Sequence, residues 1–176
     1  MKVLGIDPGT RVVGYGVVVK GAGGKLTYTG AGEIKVAATK PLAERLLVIS
    51  DALDRVFAEF EPDVVAVESV FYSKNVKTAI VMSHMRGVAL LKAAAAGLVV
   101  HEYSPTVVKQ AVVGTGAATK EQVQQMVKLL LKQKEVAGAD ASDALAVAIC
   151  HINHSGAIMT ALADEKARAR VKARTG

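Results

Sequence analysis

The sequence contains no tryptophan, only four prolines and a single cysteine, Cys150, among its 176 residues. A lone cysteine excludes an internal disulfide, so a packed core must hold the fold together. The longest apolar run, 88–100, is interrupted by Lys92 and is shorter than the roughly 20 residues that a membrane-spanning helix needs. The first residues also lack the basic segment and apolar core of a secretory signal. We therefore expect a cytoplasmic protein without a membrane segment.

Aromatic residues are equally scarce, at 4% of the chain, whereas apolar residues as a whole make up 51%. That apolar fraction is too high for a disordered chain, and the length suits one well-filled core. We assign residues 1–155 to a single folded domain.

The positive charge of the chain is concentrated near its C-terminus. Basic residues number 22 against 16 acidic ones, yet residues 166–176 alone contain five Lys or Arg and no acid. We assign 156–176 to a basic tail, expected to be flexible. Such a tail either contacts an anionic partner such as nucleic acid or only keeps the chain soluble, and composition favours neither.

The pattern of apolar residues predicts an α/β fold. Three β-rich segments, 3–6, 12–20 and 25–36, are separated by Pro and Gly residues typical of turns. An amphipathic helix is predicted over 42–60, where apolar residues recur at steps of three and four. Further strands and helices then follow, with strands at 63–68 and 98–103 and helices at 75–96, 105–113, 119–132 and 140–154. We expect five strands in one mixed sheet with helices on both faces.

Acidic residues stand at two predicted strand ends and at the start of one helix. Asp7 and Glu68 each end an apolar strand, and open α/β sheets bind ligands at the carboxyl ends of their strands. Asp140 and Asp143 are three residues apart and share one face of a helix. Each acid also has a structural explanation, as a turn residue for the first two and as an N-cap for Asp140. Asp143 fits such an explanation least, because it opens an apolar helix and a buried carboxylate needs a counter-charge.

Four carboxylates without a companion Cys or His cluster favour Mg²⁺ or Mn²⁺ over zinc. Two such ions can activate a water molecule and stabilise the leaving oxygen in phosphodiester hydrolysis. We interpret His151 and His154 as helix-end or surface residues without a catalytic role.

The order and spacing of several motifs resemble the RuvC family of Holliday-junction resolvases. The matching segments are Gly5-Ile6-Asp7-Pro8-Gly9-Thr10-Arg11, Gly14-Tyr15-Gly16, Val67-Glu68-Ser69-Val70-Phe71, Val108-Lys109-Gln110 and 139–146. The resemblance implies a ribonuclease-H-like fold, a homodimer, and metal-dependent cleavage of four-way DNA junctions by paired symmetric incisions in recombination and DNA repair. It also implies cooperation with the RuvAB branch-migration complex. By the same resemblance, two Mg²⁺ ions per active site, replaceable by Mn²⁺, bind the catalytic carboxylates Asp7, Glu68, Asp140 and Asp143.

The sequence also offers candidate DNA contacts. Phe71, in the only adjacent aromatic pair, follows Glu68 closely and is suited to stacking on a base. The alternative is a loop aromatic that folds back onto the core. The remaining candidates for DNA binding are Arg11, Lys74, Asn75, Lys109 and Lys120.

Two other classes of protein compete with a junction nuclease. Phosphotransferases and ATPases of the actin-like superfamily have a phosphate loop similar to Asp7-Pro8-Gly9-Thr10, but they bind nucleotide between two such domains. A non-catalytic junction-binding module would not require four convergent carboxylates. Both classes are therefore weaker hypotheses than a nuclease.

Overall fold

The computed structural model describes residues 1–69 and 76–156. Within them, the strands are β1 (Lys2–Pro8), β2 (Val12–Lys20), β3 (Leu26–Lys35), β4 (Val64–Glu68) and β5 (Val99–Tyr103). The helices are α1 (Leu42–Phe60), α2 (Val76–Ala95), α3 (Pro105–Val113), α4 (Lys120–Leu131) and α5, which covers 139–156. Every element predicted from the sequence is found, with boundaries that agree within two residues.

All five strands form one mixed sheet in the order β3-β2-β1-β4-β5. The first three strands of the chain pair antiparallel, whereas β4 runs parallel to both β1 and β5. In the β1–β4 pair, Gly5 is opposite Ala66 and Ile6 is opposite Val67. The carboxyl ends of these two strands therefore meet at one edge of the sheet, which confirms the expectation that they are parallel neighbours.

Helices cover both faces of the sheet, as predicted. On one face, α1 and α2 pack against Leu4 and Ile6 of β1. On the other face, α3, α4 and α5 pack against Val3 and against Ala66 of β4. This division follows from the alternation of side chains along a strand. Among the described residues, every helix is too short or too polar to span a bilayer.

Three glycines allow α5 to lie unusually close to the sheet. A β-carbon on Gly5 would overlap the Ala144 carbonyl oxygen, and one on Gly14 would overlap the Asp140 carbonyl oxygen. Gly5 pairs across the strands with Gly16, whose added β-carbon would meet the Leu145 side chain at 2.6 Å. The absence of side chains at these positions lets the helix backbone contact the strands directly. The start of α5 is thereby held against the end of β1.

Capping residues fix the start of α4. Thr119 accepts a hydrogen bond from the Gln122 backbone, and the Gln122 side chain accepts one from the Thr119 backbone at 2.8 Å. This reciprocal arrangement is a capping box, and it satisfies two backbone donors at the helix terminus. Lys120, the first residue of the helix, therefore has a defined position.

The prediction that His151 lies at a helix end or on the surface is wrong. His151 is only 5% exposed, because α5 continues past it and packs it against β5. Its ring centroid is 4.6 Å from that of His101, and its Nδ1 is 2.8 Å from the Tyr103 hydroxyl. His154, one turn further along α5, is half-buried.

Candidate active site

Three of the four predicted carboxylates form a compact cluster. Asp7, Asp140 and Asp143 each offer a carboxylate oxygen, and these oxygens lie within 4.8 Å of one another. Asp7 is two residues after Gly5 in β1 and therefore points to the same face of the sheet, toward α5. Asp140 and Asp143 occupy the first turns of α5, which the glycines of β1 and β2 hold close.

Glu68 joins the cluster from the neighbouring strand. It ends β4 two residues after Ala66, whose side chain packs on the α5 side of the sheet. Its carboxyl is hydrogen-bonded to that of Asp7 and also interacts electrostatically with Asp143. The structure thus brings all four predicted carboxylates to one edge of the sheet.

Partial burial and close spacing of the carboxyls disfavour their charged forms. Burial, together with the neighbouring carboxylates of Glu68 and Asp143, raises the pKa of Asp7 to about 8. Burial also raises the pKa of Glu68, an effect that the hydrogen bond from Asp7 partly offsets. A cation placed among these groups would relieve both the burial and the repulsion.

Lys120 supplies a counter-charge to one member of the cluster. Its Nζ lies 2.6 Å from Oδ2 of Asp143. This hydrogen bond raises the pKa of Lys120, so the ammonium stays protonated at neutral pH. Burial raises the pKa of Asp143, and the hydrogen bond from Lys120 acts in the opposite direction. Lys120, predicted only as a DNA contact, is therefore an integral part of the acidic site.

A pocket of about 220 Å³ opens beside the carboxylates. Its polar lining consists of Glu68 and Asp143 with the cationic side chains of Lys109 and Lys120. Its apolar walls come from Pro105, Val108, Val123 and Ala146. The predicted contact Lys109 lies within the electrostatic reach of Glu68. The pocket thus places two ammonium groups beside the carboxylates, in a space that can receive an anionic substrate.

The remaining predicted contacts are not brought to this pocket. Arg11 is exposed after the turn that follows β1, where it lines a different pocket. Phe71, Lys74 and Asn75 lie outside the described residues, as does the tail beyond Gly156.

Two features that build the site were not predicted from the sequence. The contact between Lys120 and Asp143 joins residues 23 positions apart on different helices, and no local pattern indicates it. The packing role of Gly5, Gly14 and Gly16 had a visible signal, since glycines in a predicted strand often mark the close approach of another backbone.

The strand order, the helices on both faces and the carboxylates at the edge of the sheet define a protein of the ribonuclease-H-like fold. Residues 3–151 match the family model described as crossover junction endodeoxyribonuclease RuvC. The chain is 53% identical, over 151 residues, to the crossover junction endodeoxyribonuclease RuvC of Syntrophotalea carbinolica, covering 86% of this chain and 93% of that protein. The chain belongs to the RuvC family of crossover junction endodeoxyribonucleases.

Solved structures agree with this assignment. The Thermus thermophilus RuvC structure superimposes with a TM-score of 0.81 at 35% identity, covering 88% of this chain and 95% of that one. Thermus thermophilus RuvC in complex with a Holliday junction substrate gives a TM-score of 0.80 at 33% identity, with the same two coverages. The family resemblance, the fold and the class of enzyme predicted from the sequence are confirmed.

Proposed function

We propose that this protein resolves Holliday junctions by hydrolysing phosphodiester bonds at the Asp7, Glu68, Asp140 and Asp143 site. The observation that carries the proposal is the convergence of three carboxylate oxygens within 4.8 Å, with Glu68 hydrogen-bonded to one of them. The complex of Thermus thermophilus RuvC with a Holliday junction substrate, 33% identical to this chain, supports the substrate assignment.

The same four carboxylates are proposed to hold two Mg²⁺ ions, for which Mn²⁺ can substitute. The donors fit these ions, because carboxylate oxygens are the ligands that hard divalent cations prefer. The raised pKa of Asp7, which comes from burial and from neighbouring carboxylates, supports the presence of a cation among them. When bound, the ions would activate the attacking water and stabilise charge on the leaving oxygen.

The side chains around the carboxylates have distinct proposed roles. Lys120 orients Asp143 through its 2.6 Å contact and, because its pKa is raised, does not act as a general base. Lys109 lines the adjacent pocket with Lys120, where both ammonium groups would attract the DNA phosphate.

Contacts to the rest of the junction are proposed from the sequence. Phe71 would stack on a base at the crossover, and the other candidates, Arg11, Lys74 and Asn75, would bind the backbone. The basic tail, 156–176, would add contacts whose strength depends on salt.

We further propose that the protein works as a homodimer in the cytoplasm, together with the RuvAB complex. Paired symmetric incisions require two active sites, and a dimer with two-fold symmetry provides them. The exposed apolar side chains of α2 support a dimer surface there, since Ile80 is 51% and Leu91 is 67% exposed.

Cleavage of a synthetic four-way junction tests the proposed function. We expect incision with Mg²⁺, no incision with a chelator, and little cleavage of a linear duplex that has the same sequence as one arm. Junction binding without incision under any metal condition would instead identify a non-catalytic binding module. Thermal stabilisation by ATP in place of junction cleavage would indicate the actin-like class.

A further inference from the structure

A second pocket lies near the site but is not part of it. It has a volume of about 200 Å³ and forms where the turn after β1 meets the starts of α1 and α2. Its charged lining residues are Arg11, Arg45 and Lys77, and its other lining residues are Thr10, Ala38, Thr78 and Val81. Among the described residues, the lining therefore contains three cationic side chains and no acidic one.

Arg45 is the unusual member of this group. Its side chain is buried, with 9% of the residue exposed, although arginine is rarely buried without a partner. Its Nη2 donates to the carbonyl oxygen of Thr10, whereas its buried Nε has no hydrogen-bond partner among the described residues. A guanidinium with one neutral acceptor retains most of the cost of its burial.

The positive charge of Arg45 is not neutralised by an acidic side chain of the described residues. Arg11 and Lys77 are exposed, and in residues 1–69 and 76–156 no carboxylate lies within ion-pair distance of Arg11, Arg45 or Lys77. Three cations around one small cavity repel one another unless an anion lies between them. The charges that line the pocket thus favour a negatively charged ligand.

The chemistry of the lining indicates which anion fits. A phosphate group accepts several hydrogen bonds, and arginine is the side chain best suited to donate more than one of them. Thr10 is three residues after Asp7, so their α-carbons are at most about 11 Å apart. The pocket therefore lies beside the loop that follows Asp7.

We propose that the Arg11, Arg45 and Lys77 pocket binds a backbone phosphate of the junction DNA, close to the phosphate that is hydrolysed. This inference rests on the proposed function and deepens it. Arg45 is a positioning residue, because its bond to Thr10 connects the bound phosphate to the loop that follows Asp7. DNA binding at this pocket would therefore also fix the position of Asp7.

The test compares the salt dependence of junction binding in the wild type and in the variant Arg11→Gln/Lys77→Gln. Both substitutions are at exposed positions and leave the core unchanged. Loss of one phosphate contact reduces the slope of log K against log salt by about 0.9 and weakens binding roughly tenfold. Lys25→Gln is the matched control, since Lys25 is exposed in the β2–β3 connection, at the opposite end of the sheet from Asp7. The control should retain the wild-type slope.

The role of Arg45 is tested with one variant that removes its charge and one that keeps it. We expect Arg45→Gln to lower the cleavage rate of bound junction as well as affinity, and Arg45→Lys to restore part of the affinity. If Arg45→Gln does not fold, the surface variant still decides the question. Wild-type cleavage together with an unchanged slope in the surface variant would overturn the phosphate site and the proposed Arg11 contact, but it would leave the proposed junction cleavage at the carboxylates intact.

Thermal melting with inorganic phosphate tests whether the pocket binds a free anion rather than a phosphate of DNA. Thermal stabilisation by phosphate that Arg45→Lys weakens, combined with unchanged junction binding in the surface variant, would assign the pocket to a free phosphate and refute the DNA contact. Failure of the wild type to bind or cut any junction would refute the proposed function itself, a result that none of the pocket variants can produce.

Discussion

Replacing Gly5 with alanine should damage the active site without touching any carboxylate. An added β-carbon would overlap the Ala144 carbonyl oxygen and lie 2.8 Å from the Ala148 backbone nitrogen. Both atoms belong to the backbone of α5, which cannot rotate away as a flexible side chain can. The helix must therefore move away from β1, and Asp140 and Asp143 must move with it.

The size of this effect follows from the overlap. Over-packing of this kind costs about 1–3 kcal/mol of the free energy of unfolding. With a urea dependence of about 2 kcal/mol per molar, the unfolding midpoint should fall by roughly 0.5–1.5 M. A displacement of about 1 Å at a catalytic group can reduce the rate about 100-fold. We expect Gly5→Ala to remain folded but to cleave junctions much more slowly than the wild type.

Gly21→Ala is the matched control for this experiment. Gly21 has a φ of −86°, which any residue adopts, and an added β-carbon would meet only the Lys25 carbonyl oxygen at 3.7 Å. Urea unfolding and single-turnover junction cleavage are measured on both variants. Wild-type stability and cleavage in Gly5→Ala would refute the argument that glycine packing positions α5.

Three further predictions concern titration and DNA stacking. Without metal, the free energy of unfolding of the wild type should fall by about 1 kcal/mol between pH 7 and 9. The reason is that the pKa of Asp7 is raised to about 8 in the folded state, so the stabilising proton on Asp7 is lost in this pH range. Urea unfolding in EDTA should show this fall in the wild type and not in Asp7→Asn. Burial lowers the pKa of His151 to about 4. The free energy of unfolding should therefore decrease by about 1–3 kcal/mol as the pH falls from 6.5 toward 4. An NMR titration midpoint near 6.5 for this ring would contradict the prediction. Phe71→Ala should weaken the productive junction complex by about 1–3 kcal/mol without lowering the melting temperature, with Tyr72→Ala as the comparison; a large loss of stability with normal cutting would refute stacking.

The fold was predictable from the sequence because its signals are local. The apolar run of β4, the steps of three and four along α1 and the Thr119 to Gln122 capping box each depend on residues close in the chain. Parallel neighbours β1 and β4 then explain why Asp7 and Glu68 meet.

The electrostatic partners within the site were not predictable, because they depend on how separate elements pack. Lys120 reaches Asp143 only because α4 and α5 cover the same face of the sheet. His151 was misassigned for a related reason, since nothing local indicates that β5 covers that part of α5. The buried Arg45 likewise reads as an ordinary charge on an amphipathic helix until its contact with Thr10 is known.

The most direct test of the central claim is the cleavage of one synthetic four-way junction by Asp143→Asn, with junction affinity measured on the same sample. The substitution keeps the size of the side chain and removes one of the carboxylates that converge within 4.8 Å. We expect cleavage to be lost while affinity stays close to that of the wild type, because phosphate contacts supply most of the binding energy. Wild-type cleavage by Asp143→Asn would contradict the assignment of the carboxylates as the catalytic site.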